Sequence, residues 1–308
     1  MITKSRPYQT MHVLVIALLL FLLPLTAFSQ SKILSSKTQI VMLGTGAPGW
    51  DPDRSGPATA IVVNGTPYLI DFGPGVVRRA GAAYRKGVTA LLPPNIRVAF
   101  LTHMHVDHTA GYPDLIFSPA QDGGRKGPLE VYGPKGMKDM TTYILKAYKK
   151  ESDVRYKVNA HDIEPGIVYK DENVTVRAFL VKHDDVQAFG YRFETPDRTI
   201  VISGDTTPTQ SIIDNCNGCD VLIHEAYSMM TYNQVSPADQ EKRKKLHTSS
   251  QELAEIASKA KPGLLILYHR SNLGGGMGRL PNPEEILLKE IRKSYKGKVV
   301  TGHDLDIF

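Results

Sequence analysis

From residue 39 onward the apolar positions fall in short runs, rich in β-branched residues and broken by turn residues, which is a strand pattern rather than a helical one. Gln39 to Leu43, Thr59 to Val63 and Tyr68 to Asp71 read as strands, with the hairpin signal Asn64-Gly65 between the last two. A helical pattern follows over Val76 to Arg85, and Val98 to Leu101 returns to strand. The second half repeats the plan, with strands at Val174 to Leu180, Ala188 to Glu194, Thr199 to Ser203, Val221 to His224, Leu264 to Tyr268 and Val299 to Thr301. Its helices are expected at Thr209 to Asn215, Ser249 to Lys261 and Pro283 to Tyr295. Two similar mixed halves predict an α/β fold of two sheets packed face to face with helices outside. No Pro- or Ser-rich linker divides the chain, so one domain is expected.

The first thirty residues follow a different pattern. Lys4 and Arg6 precede an apolar run from Val13 to Leu25, and Ala27-Phe-Ser29 offers small residues for cleavage. The chain is therefore read as a signal peptide over 1–29 and a mature domain over 30–308, periplasmic or secreted, with an uncleaved N-terminal membrane anchor as the alternative. The run is short for a membrane span and Pro24 interrupts it, so no stable span is expected after cleavage. The leader has no cysteine, which excludes a lipoprotein anchor.

Composition changes this picture little. An apolar share of 42% over 308 residues suits a globular chain with a sizeable core. The formal charge of +6 drops to about +4 without Lys4 and Arg6, too small and scattered to argue for a nucleic-acid partner. Lys149-Lys150 and Lys242-Arg-Lys-Lys245 read as solvated helix faces. The two cysteines, Cys216 and Cys219, precede a strand, whereas a redox Cys-x-x-Cys precedes a helix, so an incidental pair open to bridging is expected.

Gly44-Thr-Gly-Ala-Pro-Gly49 fits the dinucleotide pattern G-x-G-x-x-G. That fingerprint needs a helix to start there, and Pro52 and Pro57 forbid one. A loop whose glycines permit close backbone approach is the better account.

The densest chemistry is Leu101-Thr-His-Met-His-Val-Asp-His-Thr109. In extended chain His103, His105 and Asp107 share one side, and His108 is turned away. If the chain bends into a helix near Asp107, His103 and His105 can hold one ion and Asp107 with His108 another, roughly 3.5 to 4 Å apart as in two-metal hydrolytic sites. Imidazole and carboxylate suit zinc best, with manganese or iron as alternatives. Further ligands are available at the ends of apolar runs: His183, Asp205 and His269.

This set resembles the metallo-β-lactamase superfamily from about Gln39 to the C-terminus. The resemblance implies a four-layer αβ/βα sandwich, with His103, His105 and His183 on one zinc ion, Asp107, His108 and His269 on a second, and Asp205 bridging them. Asp71 matches the family's carboxylate that orients ligand imidazoles. His247-Thr-Ser-Ser, His224-Glu-Ala and Ser203-Gly-Asp-Thr206 are similar to ribonuclease Z and its arylsulfatase-like relatives. Pro52 to Thr59 and Phe72 to Arg79 look most like the arylsulfatase-type members.

The expected activity is hydrolysis of a sulfate or phosphate ester of a small molecule by metal-activated hydroxide. Asp107 would steer or deprotonate the water, and His247, with Glu225 as its acidic partner, would face the scissile ester. A ribonuclease Z-type tRNA 3′ endonuclease is the alternative. That enzyme carries a basic arm between the matches to Tyr191-Arg192 and Ser203, where this chain has only Phe193 to Ile202. A lactonase shares the ligand set; a β-lactamase typically lacks the aspartate matching Asp205. A non-enzymatic binding protein is disfavoured because every expected ligand is present. The family also implies a homodimer as one option, and Gly274 to Arg279 could form a lid, with Arg279 or Arg54 meeting a sulfate or phosphate oxygen.

Overall fold

Strand β1 (Thr38–Gly44) is apolar on both faces, and both faces are covered: Ile40 and Met42 point into one cluster, Val41 and Leu43 into another. A strand buried on both sides reads as a continuous apolar run, and this recurs through the molecule. The structure, a computed structural model, describes residues 37–49, 51–121, 124–148, 156–269 and 283–308. The expected leader, Lys149-Lys150 and the loop 274–279 lie outside the described residues.

The first sheet runs β1, β2 (Ala58–Val63), β3 (Thr66–Ile70), β4 (Val98–Phe100), β5 (Leu129–Gly133) and β6 (Val158–Asp162) in that order. β1 to β3 pair antiparallel and β3 to β6 parallel. The second sheet comprises β7 (Gly166–Lys170), β8 (Thr175–His183), β9 (Val186–Glu194), β10 (Thr199–Ile202), β11 (Val221–Glu225), β12 (Leu264–Tyr268) and β13 (Val299–Thr301). Here β7 to β10 alternate in direction and β10 to β13 are parallel.

One apolar cluster fills the space between the sheets, including Tyr68, Phe100, Phe189, Tyr191, Phe193 and Ile266. A second lies between the first sheet and helices α1 (Val76–Arg85), α3 (Tyr112–Gln121) and α4 (Met137–Ala147). A third lies between the second sheet and α5 (Gln210–Cys216), α8 (Ser250–Ala260) and α9 (Pro283–Ser294). α2 (Val106–Thr109) and α6 (Met229–Tyr232) are single turns, and α7 (Pro237–Leu246) has no buried residue. This is the expected layering of helices, sheet, sheet and helices.

Local signals explain the outer helices. In α1, Val76, Ala80 and Ala83 recur at helical spacing and are the buried positions. α8 opens on a capping box in which Ser249 Oγ accepts from the Glu252 amide and Glu252 accepts in return from Ser249. Among the described residues, no helix is long and apolar enough to cross a membrane.

The last residues return to the first strand. Ile40 and Phe308 exchange backbone hydrogen bonds at 2.9 Å each, and the Met42 amide donates to Asp306 O at 3.0 Å. Asp304 then anchors the loop after β1: its Oδ1 accepts from Thr45 N and Oγ1, both at 2.9 Å, and its Oδ2 from Ser55 N at 2.7 Å.

Candidate metal centre

The parallel strands β3, β4, β10, β11 and β12 deliver their carboxyl ends to one place, as open α/β sheets do. β4 ends at Phe100, and His103 follows three residues beyond it. His105 is also extended (φ −65°, ψ 152°) and caps α2, so the chain turns helical at Val106 and swings Asp107 and His108 inward. Thr109 Oγ1 closes that turn on His105 O at 2.9 Å. His183 is the last residue of β8, Asp205 follows β10 across Gly204 (φ +63°), and His269 follows β12. Asp71 (φ +59°) and His269 (φ +45°) hold left-handed backbone that is strained for a non-glycine residue, a cost concentrated at this site.

Two groups of ligand atoms result. His105 Nδ1 lies 3.0 Å from His103 Nε2 and 3.1 Å from His183 Nε2. His269 Nε2 lies 3.1 Å from both Asp107 Oδ2 and Asp205 Oδ2. His108 Nε2 is 3.4 Å from Asp107 Oδ2 and 3.5 Å from Asp205 Oδ1. Asp205 Oδ2 is also 4.0 Å from His103 Nε2 and 3.9 Å from His183 Nε2, so this carboxylate stands between the groups.

The far side of each ring fixes which nitrogen carries a lone pair. His108 Nδ1 donates to Asp71 Oδ2 at 2.8 Å, and His183 Nδ1 donates to Leu246 O at 2.7 Å. Asp71 also accepts from Thr102 N at 2.8 Å and from Thr102 Oγ1 at 3.0 Å, and that hydroxyl faces His103 Nδ1 at 3.0 Å. Nε2 of His103, His108 and His183 is thereby left pointing inward as an acceptor. Among the described residues, the buried His108 Nε2 and Asp205 Oδ1 find no hydrogen-bond partner. Two acceptors facing each other in a buried place call for a cation between them. The donor set fits divalent metal: tetrahedral ligands about 2.1 Å from zinc stand about 3.4 Å apart, close to the spacings found here.

Charge points the same way. Asp71, Asp107 and Asp205 are buried, and among the described residues the ion-pair partners of the latter two are histidines. Burial alone would raise the Asp205 carboxyl, but His269, His108 and His103 around it hold it well below the usual carboxylate range. Asp107 is lowered too: burial is outweighed by the hydrogen bond from His269 and the charge of His108. Burial lowers His103, His105 and His183, which keeps that trio neutral, the form that ligates metal. His108 goes the other way, because Asp71 and Asp205 overcome its burial and favour positive charge at that point.

His247 sits beside the centre without joining either group on the same terms. Its Nδ1 lies 3.1 Å from Glu225 Oε1 and 3.9 Å from Asp205 Oδ2. The ring is 19% exposed, while those of His103, His108, His183 and His269 are at 0 to 1%. Burial works against its protonation, yet Glu225 prevails and pushes the pKa up to about 9. Glu225 Oε1 also accepts from Thr206 N at 3.1 Å and Thr248 N at 3.3 Å, tying the Asp205 turn to the His247 loop.

The structure thus brings His103, His105, Asp107, His108, His183, Asp205 and His269 together, with Asp71, Glu225 and His247 around them. Thr102, Thr206 and Thr248 also belong to the network; each lies beside a singled-out residue within a quoted motif, but its residue type alone does not announce the role. Arg54 is committed elsewhere, donating to Glu284 Oε1 at 2.6 Å and to Thr45 Oγ1 at 2.9 Å. The loop 44–49 starts no helix; Gly46 N donates to Ser55 O, and a Cβ at Gly44 would meet Gly56 O at 1.8 Å. Cys216 and Cys219 are buried and bridged, at the end of α5.

Residues 66–270 match the family model described as the beta-lactamase superfamily domain. A ribonuclease Z of Mycobacterium sp. (strain KMS) is 31% identical over 248 residues, covering 75% of this chain and 83% of the relative. A ribonuclease Z of Mycobacterium bovis (strain BCG / Pasteur 1173P2) is 29% identical over 285 residues, covering 87% and 96%. Among solved structures, the metallo-beta-lactamase fold protein YhfI from Bacillus subtilis superposes with a TM-score of 0.67 at 20% identity, covering 89% of this chain and all of that one. Human tRNase Z, short form, gives 0.66 at 23% identity, covering 88% and 98%.

Proposed function

The chain belongs to the beta-lactamase superfamily, and from that premise we propose that it is a two-zinc phosphodiesterase whose chemistry follows that of its ribonuclease Z relatives. The observation that carries the reading is His247, partly exposed and paired with buried Glu225 beside two groups of ligand atoms. His103, His105 and His183 would hold one ion, Asp107, His108 and His269 the other, and Asp205 would be shared. Zinc bound there supplies Lewis acidity and brings the pKa of water toward neutrality.

The chain's own groups do the rest. Asp107, ionised and buried, would accept a hydrogen bond from the attacking water and set its direction. Glu225 accepts a hydrogen bond from His247 Nδ1, which fixes the ring and favours its charged form. The open edge of that ring then faces substrate, where it stabilises charge growing on the phosphoryl oxygens or protonates the leaving oxygen. Asp71 and Thr102 keep the His108 and His103 rings aimed.

One observation favours a second reading, a small sulfate or phosphate ester in place of RNA. β9 passes into β10 through the tight turn Thr195–Arg198, closed by Thr195 N donating to Arg198 O at 3.1 Å, where the resemblance to ribonuclease Z calls for an RNA-binding arm. Export through the apolar leader belongs with this reading, and the Cys216–Cys219 bridge supports an oxidising compartment.

The test is hydrolysis of precursor tRNA, bis(p-nitrophenyl) phosphate, nitrophenyl sulfate, a lactone and a cephalosporin by zinc-loaded protein, with His105→Ala as control. Cleavage of either phosphodiester, lost in the control, is expected. Turnover of the sulfate or of bis(p-nitrophenyl) phosphate with precursor tRNA left intact would install the second reading. Activity confined to the lactone or cephalosporin would overturn both.

A further inference from the structure

Glu290, in the middle of α9, lies outside both groups of ligand atoms, yet its carboxylate is tied to both loops that carry the His247–Glu225 pair. Oε1 accepts from Ser228 Oγ at 3.0 Å and Met230 N at 2.9 Å. Oε2 accepts from Met229 N at 3.0 Å and Ser250 Oγ at 2.6 Å. Ser228 lies three residues beyond Glu225, and Ser250 three residues beyond His247. Between these points the loops are stitched together, with Tyr227 N donating to Thr248 O at 3.0 Å and Ser250 N to Tyr227 O at 2.8 Å. The four bonds from Glu290 close the far end of that stitch.

We propose that Glu290 is a positioning residue that sets the register between the Glu225 loop and the His247 loop, and through it the aim of the His247 ring. α9 is itself held against the second sheet by Leu287 and Ile291, so the carboxylate is presented from a fixed helix. Side chains locked from behind in this way keep a reacting group within the narrow tolerance that turnover demands. Ser228 and Ser250 are both buried, so without Glu290 their hydroxyls lose a strong acceptor in a place poorly supplied with water. The loops then gain freedom to slide past one another, and His247 moves with them.

The kinetic arm of the test rests on the phosphodiesterase reading; the exchange arm does not. In Glu290→Ala, kcat on bis(p-nitrophenyl) phosphate should fall roughly 10- to 100-fold with little change in KM and full zinc content, the scale of a misplaced group. Glu290→Gln, whose amide can accept at only one of the two positions, should recover only part of that loss. Adding Glu290→Ala to His247→Ala should cost nothing further, since both act through one ring. Independently of any activity, backbone amides of Tyr227, Met229, Met230 and Ser250 should exchange faster with solvent in Glu290→Ala, while Ile202 in β10 is unaffected. If the wild type hydrolysed none of the esters, only the phosphodiesterase reading would fall and exchange would still decide. Unchanged exchange at those amides, or losses from the two substitutions that multiply, would overturn the assignment and leave Glu290 a packing residue.

Discussion

Asp71, just beyond β3, accepts a hydrogen bond of 2.8 Å from Nδ1 of His108, which lies in α2. This bond decides that His108 presents Nε2 to the centre. Asp71→Asn keeps the size and tolerates the left-handed backbone, but its amide cannot accept at both oxygens. Zinc affinity, measured by competition with a chromogenic chelator, should fall about 10- to 100-fold.

His247 should separate turnover from metal content. In His247→Ala two zinc ions per chain remain and turnover falls by about 10², whereas His105→Ala loses zinc as well. Elemental analysis alongside kinetics checks both halves. An activity loss in His247→Ala that tracked zinc loss would make the ring a ligand.

The same ring sets a pH dependence in the chelated protein. Its folded pKa, about 9, lies above the ordinary 6.5, so the protonated ring beside Glu225 stabilises the fold fully below about pH 6.5 and loses that contribution as pH rises through 9. The difference in melting temperature between chelated wild type and chelated His247→Ala should therefore be largest in acid and shrink across that window.

Two glycines predict opposite outcomes. A Cβ at Gly73 would lie 2.4 Å from Asp107 O and 2.5 Å from Gly56 C, so Gly73→Ala should cost about 1–3 kcal/mol and weaken zinc binding by shifting Asp107. Gly81, inside α1, faces nothing within 4 Å, and Gly81→Ala should add roughly 0.5–1 kcal/mol. Urea unfolding of the two variants distinguishes them.

The Cys216–Cys219 bridge closes a very short loop and is buried away from the ligand groups. Replacing both cysteines by alanine should cost about 2 kcal/mol or less and leave turnover unchanged.

The ligand positions were legible because all seven sit where an apolar run stops or within the motif beside it, and strand ends of that kind converge in a two-sheet fold. The elements between Leu101 and Val174 were not. α3 carries Pro113 and Pro119 inside a weakly amphipathic stretch, and β6 and β7 are half-buried edge strands whose polar residues blur alternation. Thr102 and Glu290 stayed hidden for another reason. Each acts by a hydrogen bond to a residue distant in sequence or on another element, and a lone threonine or a glutamate on a helix gives no sign of its partner.

Phe308 closes against Ile40, and Asp304 grips Thr45 and Ser55, so strand β1 and the loop behind it are held by residues far along the chain. Closing that edge is therefore a long-range event, slow beside the formation of any helix. Asp304→Ala would leave every candidate ligand in place while freeing the loop after β1.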